Sequence, residues 1–478
     1  TLNMRLEALH VPALFIPAVL IPAFFGVNFT APEVCMSASI NAATVELPPE
    51  ASAIHWSLSK RIAFRFCFLY FGLYCFYTQI STALISIPNM EIGDPSALWP
   101  MRQIVFWTAA HLFHAKLPLV YSGSGSGDKT FDWVMTFFLL VFSVIATAAW
   151  SALDSHRENY VTLLKWFRLF MRFALASQMI GYGIDKVVPL QMPYPYLTRL
   201  LEPFGNFSPM GVLWASVGAA PAFETYVGCA ETLAGILLIF PRTTMVGALI
   251  ALCDMTHVFM LNMTYDVPVK LFSFHLMLMA LFLLAPDGER LLNFFFRNRA
   301  VAPPAHPQLF KSRRANRIAL ALQIVFGLWM IGTSLYDAHN SWHLYGGGRP
   351  KSAFYGVWNI DQLSIDGQLR SPLVIDYDRF RRAVFDFPDR VSFQRMDDTF
   401  ASFGAAINTD NKTIALTKST DKNWKGKLSF QRPAADQLIL DGDIDNHKMH
   451  MELHLIDRNK FLLANRGFHW IQEYPFNR

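Results

Sequence analysis

The chain has 478 residues, of which 53% are hydrophobic and only 16% are charged, with a net charge of +5. Soluble domains carry about 25% charged residues, so this composition excludes an ordinary soluble protein and indicates that much of the chain contacts lipid. The basic residues cluster between apolar stretches, which indicates membrane topology and not nucleic-acid binding. The five cysteines lack CxxC or CxH spacing and predict neither a disulfide framework nor a zinc site.

The N-terminal segment, residues 1–58, precedes the first clear membrane span. Within it, residues 11–27 are apolar but contain three prolines. Their length of about 17 residues is the lower limit for crossing a bilayer. This stretch fits either a signal-peptide core or a kinked membrane helix, and the sequence leaves both alternatives open.

Residues 59–336 predict a transmembrane bundle, which gives the chain about seven to eight spans if the N-terminal stretch is counted. The seven clear apolar runs are 62–87, 133–153, 161–184, 222–240, 243–262, 267–285 and 318–335. Basic residues are concentrated in the loops at 58–65, 154–172, 241–242 and 287–317. The positive-inside rule therefore predicts that these loops are cytoplasmic. The loops at 88–132, 187–221 and 264–267, and the whole tail, are then extracytoplasmic, which predicts a multi-pass protein of a bacterial inner membrane.

The first outward loop has two features of its own. Residues 104–113 predict a short helix lying at the membrane interface. The run SGSGSGD at 122–128 predicts a connecting loop, because no strand precedes it and the P-loop GK[ST] is absent.

The tail, residues 337–478, has the pattern of an all-β antiparallel barrel. Short alternating apolar runs recur between polar turns, at intervals of about 8–12 residues. They include Val391/Phe393, Ile414/Leu416, Leu428/Phe430, Leu438/Leu440 and Met449/Met451/Leu453/Leu455. Tight turns are predicted at Asp366-Gly367, Asp441-Gly442 and Asn459-Lys460. A barrel of eight strands either holds one small ligand or is filled by its own side chains, and the pattern does not choose between them.

The first strand of this barrel begins with Gly356-Val357-Trp358. This resembles the GxW motif that opens lipocalin barrels. The resemblance covers about 110 residues. It implies that Trp358 plugs one end of the barrel and that a late arginine packs on it, with Arg466 as the candidate.

Ionisable residues inside the apolar runs between 181 and 287 give the candidate functional site, since such groups are expensive at bilayer depth. Glu224 and Glu231 are seven residues apart and share one helix face, and Asp254 and His257 share another. Asp266 and Lys270 are four apart and are predicted to pair across the first turn of a helix that includes Pro268. The candidate catalytic residues are Lys186, Glu231, Asp254, His257 and Lys270, and the candidate cofactor-binding residues are Tyr182, Glu224, Asp266 and His275.

Three interpretations of these residues compete. The first is a set of buried polar pairs that only fixes the helix register. The second is a site for a quinone or similar redox-active headgroup, with a proton donor or acceptor such as His257 beside Asp254 or Glu231. The third is a metal site drawing on Glu231, Asp254, His257 and His275. The dense ExxH pairs of di-iron bundles are absent, so no metal residues are assigned.

Residues 172–286 resemble the DoxX family of small membrane proteins. The matching features are Arg172, Gln178, Tyr182, Gly183 and Lys186 in R-x(5)-Q-x-x-x-YGxxK, and Gly228, Glu231 and Gly235 in GxxExxxGILLI. Arg242-Thr243 follows, and then a helix with His257 and Asn262. The resemblance covers about a quarter of the chain and implies a four-helix membrane core. For some members it implies a quinone-coupled subunit.

A more distant likeness is to the membrane domain of vitamin K-dependent carboxylases, carried by Gly183 and Lys186. It implies that Lys186 is the base that deprotonates the reduced vitamin. The expected function is therefore a DoxX-like, quinone-linked redox protein or subunit whose barrel binds a ligand or a partner. The alternatives are a non-enzymatic accessory protein that binds a lipid or a membrane-protein partner, and a carboxylase-like enzyme. Whether the chain is an enzyme stays open at this point.

Overall fold

A computed structural model describes residues 55–90, 92–301, 308–421 and 423–477. The predicted signal or membrane segment at 11–27 lies outside these residues. The chain forms two compact units. The first unit comprises the described residues up to Gly183 together with Ala230–Met263 and Val267–Ser334. The second comprises Ile184–Cys229, Thr264–Asp266 and the described residues from Leu335 onward.

Helices make up the first half of the described chain and continue beyond it. They are α1 Leu58–Tyr77, α2 Gln79–Leu84, α3 Met101–Leu112, α4 Thr130–Leu153, α5 Val161–Val187, α6 Pro209–Gly218, α7 Pro221–Ile239, α8 Thr244–Thr264, α9 Lys270–Leu284, α10 Gly288–Phe295, α11 Arg313–Leu344 and, near the C-terminus, α12 Leu462–Asn465. Short 3₁₀ turns lie at Pro95–Ala97, Phe204–Asn206, Ala285–Asp287 and Arg458–Lys460.

Five helical stretches among the described residues are long and apolar enough to cross a membrane, which supports a membrane protein. They are Thr130–Leu153, Pro221–Ile239, Thr244–Thr264, Lys270–Phe295 and Arg313–Leu344. The predicted spans at 62–87 and 161–184 do form helices, α1 and α5. Each carries at least three basic residues, however, and neither is among the five. The total of seven to eight spans therefore stays a prediction.

Several helix boundaries differ from the predicted ones. The short helix expected at 104–113 is confirmed as α3. The loop expected at 187–221 contains the ten-residue helix α6, in which Ser208 accepts a hydrogen bond from the Gly211 N–H as the N-cap. Helix α11, the last predicted span, extends nine residues beyond the predicted end at 335, to Leu344. Because five of the nine added residues are Asp, His, Asn or Ser, apolar length alone underestimates this helix.

Helix α9 begins at Lys270, so Asp266 and Pro268 precede it and do not lie in its first turn as predicted, and the pairing of Asp266 with Lys270 stays a prediction. Asp266 has a φ of 52°, in the left-handed region, which a helix cannot continue through. The first N–H groups of α9 are capped by Asp128, whose carboxylate accepts hydrogen bonds from Lys270 and Leu271, both at 2.9 Å. The glycine-serine run thus ends in Asp128, which caps this helix. A negative charge is favoured there because the N-terminus of a helix carries partial positive charge.

The tail forms a closed antiparallel barrel. Its strands are β1 Gly356–Ile365, β2 Gln368–Leu369, β3 Phe380–Phe385, β4 Arg390–Arg395, β5 Phe400–Asn408, β6 Thr413–Thr417, β7 Lys425–Ala434, β8 Gln437–Ile444 and β9 His447–Ile456. From β3 to β9 each strand pairs with the next one in sequence. Strand β1 pairs with β3, and the two-residue strand β2 pairs only with the end of β1. Pairing of β1 with β9, from Val357 opposite Ile456 to Ile365 opposite Met449, closes an eight-stranded barrel. The predicted all-β barrel is confirmed.

Inward-facing apolar side chains fill the barrel. The predicted alternating residues, from Val391 to Leu453, are buried in one core cluster. Trp358 is completely buried, and its indole N–H donates to the Phe354 carbonyl at 2.8 Å. With a core of this kind an eight-stranded barrel has its interior occupied by its own side chains.

Two details of the predicted barrel are wrong. Arg432, not Arg466, lies over the Trp358 ring, at 5.9 Å, while Arg466 hydrogen-bonds His469 and Gln472. Asp441-Gly442 lies inside β8 and is not a turn. Gly442 is required there because a Cβ atom would come within 2.0 Å of the Lys427 carbonyl oxygen. The predicted turn at Asp366-Gly367 is confirmed, with φ values of 52° and 81°.

Candidate functional site

The second unit contains a buried lysine and a buried glutamate at the ends of two helices. Lys186 lies in the last turn of α5, and Glu224 lies in the first turn of α7. Glu224 is completely buried, and Lys186 is only 7% exposed. The ammonium of Lys186 is close enough to act electrostatically on the Glu224 carboxylate. The N-terminal end of α7 also favours the charged carboxylate, because unpaired helix N–H groups carry partial positive charge there.

Only one oxygen of the Glu224 carboxylate is hydrogen-bonded. Oε1 accepts from the backbone N–H of Met192 at 2.9 Å. Oε2 is buried and has no hydrogen-bond partner among the described residues. A buried polar atom without a partner is costly and is rare in native proteins. This oxygen is therefore an unused acceptor among the described residues.

The segment that follows Lys186 supplies two more atoms of the same kind. Leu190 and Gln191 turn the chain by donating their N–H groups to the Asp185 carbonyl, at 2.9 and 3.2 Å. Downstream of this turn, Gln191 Oε1 and the Tyr194 hydroxyl are also buried without hydrogen-bond partners among the described residues. Three unsatisfied polar atoms thus come from one short segment and the glutamate that its backbone binds.

Local contacts fix the positions of these groups. The Thr225 hydroxyl donates to the Val187 carbonyl at 3.3 Å and joins the start of α7 to the end of α5. The Arg458 guanidinium lies 4.9 Å from the centre of the Tyr194 ring. We call Lys186, Gln191, Tyr194 and Glu224 the 186–224 cluster. Sequence reasoning found its two charges but missed Gln191 and Tyr194, which lie in a proline-rich loop with no motif to mark them.

Most of the other predicted site residues lie in the first unit. They are Tyr182, Glu231, Asp254, His257, Lys270 and His275, whereas Asp266 belongs to the second unit. The predicted site residues are thus divided between the two units. Glu231 is completely buried, as its shared helix face with Glu224 predicts. Asp254 is half-buried and His257 is on an exposed face of α8. Lys270 lies 3.7 Å from Asp128.

Both nitrogens of His275 are occupied by the protein itself. Nδ1 lies 2.7 Å from the Leu271 carbonyl, to which it donates, so Nε2 is the acceptor for the Tyr70 hydroxyl at 2.8 Å. The imidazole also stacks on Tyr74, with ring centres 3.9 Å apart. The protein therefore holds this histidine in place on both sides.

Hydrogen bonds within the protein also occupy the polar side chains of α5 that carry the DoxX resemblance. Gln79 donates to Gln178 at 3.1 Å and to the Tyr182 hydroxyl at 2.8 Å. Arg172 is buried and donates to the carbonyls of Leu238 and Ile239 at the end of α7. Among the described residues, no group of three or more His, Cys, Asp or Glu side chains could hold a metal ion. The described residues therefore do not form the metal site considered for Glu231, Asp254, His257 and His275.

These features define a class: a membrane protein with an apolar helical part followed by a closed, filled β-barrel. Over 129 residues, 27% of this chain, it is 31% identical to the uncharacterized protein YwoB of Bacillus subtilis (strain 168), and the match covers 79% of that protein. The chain therefore belongs to the family of that protein. No protein-family model and no solved structure matches the chain. The likenesses to DoxX proteins, lipocalins and vitamin K-dependent carboxylases remain predictions.

Proposed function

We propose that this membrane protein binds a quinone at the 186–224 cluster and acts as a quinone-linked redox protein or as a subunit of one. The observation that carries the proposal is the group of three buried, unsatisfied polar atoms beside the buried charges of Lys186 and Glu224. Structures usually satisfy such atoms with a ligand or an ordered water.

The chemistry of the cluster suits a quinone headgroup. A quinone presents two carbonyl acceptors, and the Tyr194 hydroxyl is a donor that is not otherwise used. A quinol presents two hydroxyl donors, and Glu224 Oε2 and Gln191 Oε1 are unused acceptors. The same cluster can therefore bind both forms. Glu224 could also accept a proton from the quinol, with the positive charge of Lys186 stabilising the carboxylate beforehand.

The position in the chain agrees with a ligand that is dissolved in the bilayer. Glu224 is in the first turn of one of the five apolar helices, so the cluster lies at the end of a candidate span. A headgroup at that level could keep its isoprenoid tail among the lipids. By the charge of the flanking loops, this end and the barrel would face the extracytoplasmic side of a bacterial inner membrane.

A second candidate function is non-enzymatic. Because side chains fill the barrel, a binding role for it would use its outer surface. Between β2 and β3 the chain exposes Leu373, Val374, Ile375 and Tyr377. Contiguous exposed apolar residues of this kind mark interaction surfaces. In this alternative the protein is a membrane-anchored accessory subunit that binds a partner protein through this loop.

Quinone content tests the first proposal directly. We expect organic extracts of the purified protein to contain quinone, measured by chromatography and mass spectrometry. Glu224→Gln should lower the ratio of quinone to protein by about tenfold, because a charge-assisted hydrogen bond contributes about 1.5–3 kcal/mol. Glu202→Gln is the matched control, since it makes the same change at a glutamate that pairs with Arg199 outside the cluster.

An extract without quinone, from protein whose membranes contain it, contradicts the proposal. Equal quinone ratios in Glu224→Gln and Glu202→Gln would also contradict the assignment of the site. The accessory alternative instead predicts that replacing Ile375 and Tyr377 by serine abolishes co-purification of the partner and leaves quinone content unchanged.

A further inference from the structure

A cavity of about 120 Å³ lies in the first unit at the ends of three helices, and none of the predicted site residues lines it. It is lined by residues from the start of α1, the N-terminal half of α5 and the end of α9. Two of its lining residues, Lys60 and Arg168, are basic, and the others are aromatic or apolar, including Trp56, Phe64 and Phe282. None of its lining residues is acidic.

Packing fixes the aromatic wall of this cavity. Trp56 is buried, and its backbone N–H donates to the Glu158 carbonyl at 3.1 Å. Its ring contacts Phe64 edge-on, with ring centres 5.6 Å apart. The Lys60 ammonium lies 5.0 Å from the centre of the Trp56 ring. A cation–π contact of this kind holds the lysine against the aromatic wall without neutralising it.

The second cation is held by the end of a helix. Arg168 donates one hydrogen bond to the carbonyl of Leu283, in the last turn of α9, at 3.2 Å. A cation is favoured at this position because the final carbonyls of a helix lack partners. The contact uses one nitrogen of the guanidinium group, which has five N–H donors.

The nearby acids are engaged elsewhere. Asp287 is close enough to act electrostatically on Arg168, but it forms its own ion pair with Arg290. Glu158 pairs with His55 at 3.6 Å, and Asp154 pairs with Arg157 at 3.1 Å. Neither Lys60 nor Arg168 forms an ion pair with a carboxylate among the described residues. The cavity is therefore a positively charged recess with an apolar wall.

From this combination we infer that the cavity binds the phosphate headgroup of an anionic phospholipid. Its volume is far below the roughly 300–1,000 Å³ of pockets that enclose a drug-sized ligand, so it fits a headgroup whose acyl chains remain outside. The location suits such a ligand, since the ends of membrane helices lie at the level of the lipid headgroups. Basic pockets between membrane helices recognise anionic headgroups by the same chemistry.

Native mass spectrometry of the full chain in detergent tests this site, with phosphatidylglycerol or phosphatidylcholine added at equal concentration. We expect phosphatidylglycerol to be retained at least about tenfold better, and Lys60→Gln with Arg168→Gln to remove that preference. Lys60→Gln alone should reduce it, and this single variant keeps the Arg168 contact with Leu283 in case the double variant folds poorly. Lys165→Gln is the matched control, because Lys165 lies on α5 and donates to Gln308 outside the cavity.

Equal retention of the two lipids overturns the inference. So does the same loss in Lys165→Gln as in Lys60→Gln, since that would show a general effect of net charge. The last experiment adds inorganic phosphate as a competitor. Displacement of phosphatidylglycerol by millimolar phosphate would indicate a soluble phosphate ligand and would overturn the lipid assignment, whereas retention in its presence supports it.

Discussion

The interior of the barrel and the interior of the helical first unit differ in what they bury. The core cluster of the barrel consists of aliphatic and aromatic side chains, with Trp358 and Phe393 completely enclosed, and buried polar side chains such as Arg379 lie outside that cluster. The helical unit buries Arg65, Arg172, Glu231 and His275 to at least the same depth as many of its apolar residues. One interior is thus stabilised mainly by the removal of apolar surface from water, and the other also by satisfied polar contacts.

This difference shows where specificity comes from in each region. A barrel core tolerates changes that preserve volume, because its contacts are non-directional. In a bundle surrounded by lipid, apolar burial distinguishes poorly between alternative helix packings, since the lipid is equally apolar. Directional hydrogen bonds such as those of Arg172 then select one arrangement. Four substitutions or conditions test this comparison.

The largest effect is expected in the barrel. Trp358→Ala should lower the free energy of unfolding by about 3–5 kcal/mol, because it leaves a large cavity in a filled core. Thermal or denaturant unfolding followed by circular dichroism measures this. Trp470→Ala, at a side chain that is 90% exposed, should change stability by less than about 0.5 kcal/mol. Similar losses in both variants would show that the barrel interior is not the main source of its stability.

In the helical unit, Arg172→Met should cost about 2–4 kcal/mol, since it leaves the Leu238 and Ile239 carbonyls unsatisfied. Arg172→Lys should recover only part of this loss, because an ammonium lacks the planar fork of donors. The measurement is the unfolding temperature in detergent, with Arg314→Met at the start of α11 as the control. A stable Arg172→Met protein would mean that packing alone fixes these helices.

A smaller effect is expected at the buried histidine. Tyr70→Phe removes the donor to His275 Nε2 and should cost about 1–2 kcal/mol. Tyr74→Phe keeps the ring that stacks on His275 and should be nearly neutral. The two variants differ by one hydroxyl each, so comparing their unfolding temperatures isolates the hydrogen bond. Equal temperatures would contradict the assigned role of Tyr70.

The smallest effect concerns pH at the barrel surface. A hydrogen bond from His447 to Asp366 raises the pKa of the histidine and lowers that of the aspartate. The histidine contributes stability below its unfolded pKa of about 6.5, and this is lost as pH rises through its folded pKa. The aspartate contributes above its unfolded pKa of about 3.9, and this is lost as pH falls through its folded pKa.

The pair should therefore stabilise the barrel most between about pH 4 and 6.5. His450 acts in the same direction as His447, because its hydrogen bond with Asp441 raises its pKa. We expect a slightly lower unfolding temperature at about pH 8 than at about pH 5.5. Replacing His447 and His450 by glutamine should flatten this dependence. An unchanged slope would place the effect elsewhere.

Sequence reasoning succeeded where a short-range pattern determines structure. Alternation identified the inward residues of the barrel, such as Phe393 and Leu416, because a strand must place every second side chain inside. Helical spacing also predicts one helix face for Glu224 and Glu231, and both side chains are completely buried. Sequence reasoning named Arg466 as the arginine on Trp358, whereas Arg432 lies there. Which arginine reaches Trp358 depends on the register of strands that are distant in sequence.

The candidate site shows the same limit. Its charges, Lys186 and Glu224, stand out in the sequence because charges are rare in apolar runs. Gln191 and Tyr194 are ordinary loop residues, and only the folded turn after Asp185 shows that their polar atoms are buried. Spacing placed His257 on one helix face with Asp254 but could not show that its side chain lies on an exposed face of α8.

The pairing of β1 with β9 has a consequence for the synthesis of the protein. The first strand of the barrel obtains its second neighbour only from the last strand, so the sheet has two open edges until β9 is available. Open strand edges pair readily with other chains, and contacts between distant residues form slowly. A nascent tail that has exposed β1 but not yet β9 is thus the state of this protein most in need of a chaperone. A chain cut before residue 447 would remain in that state permanently.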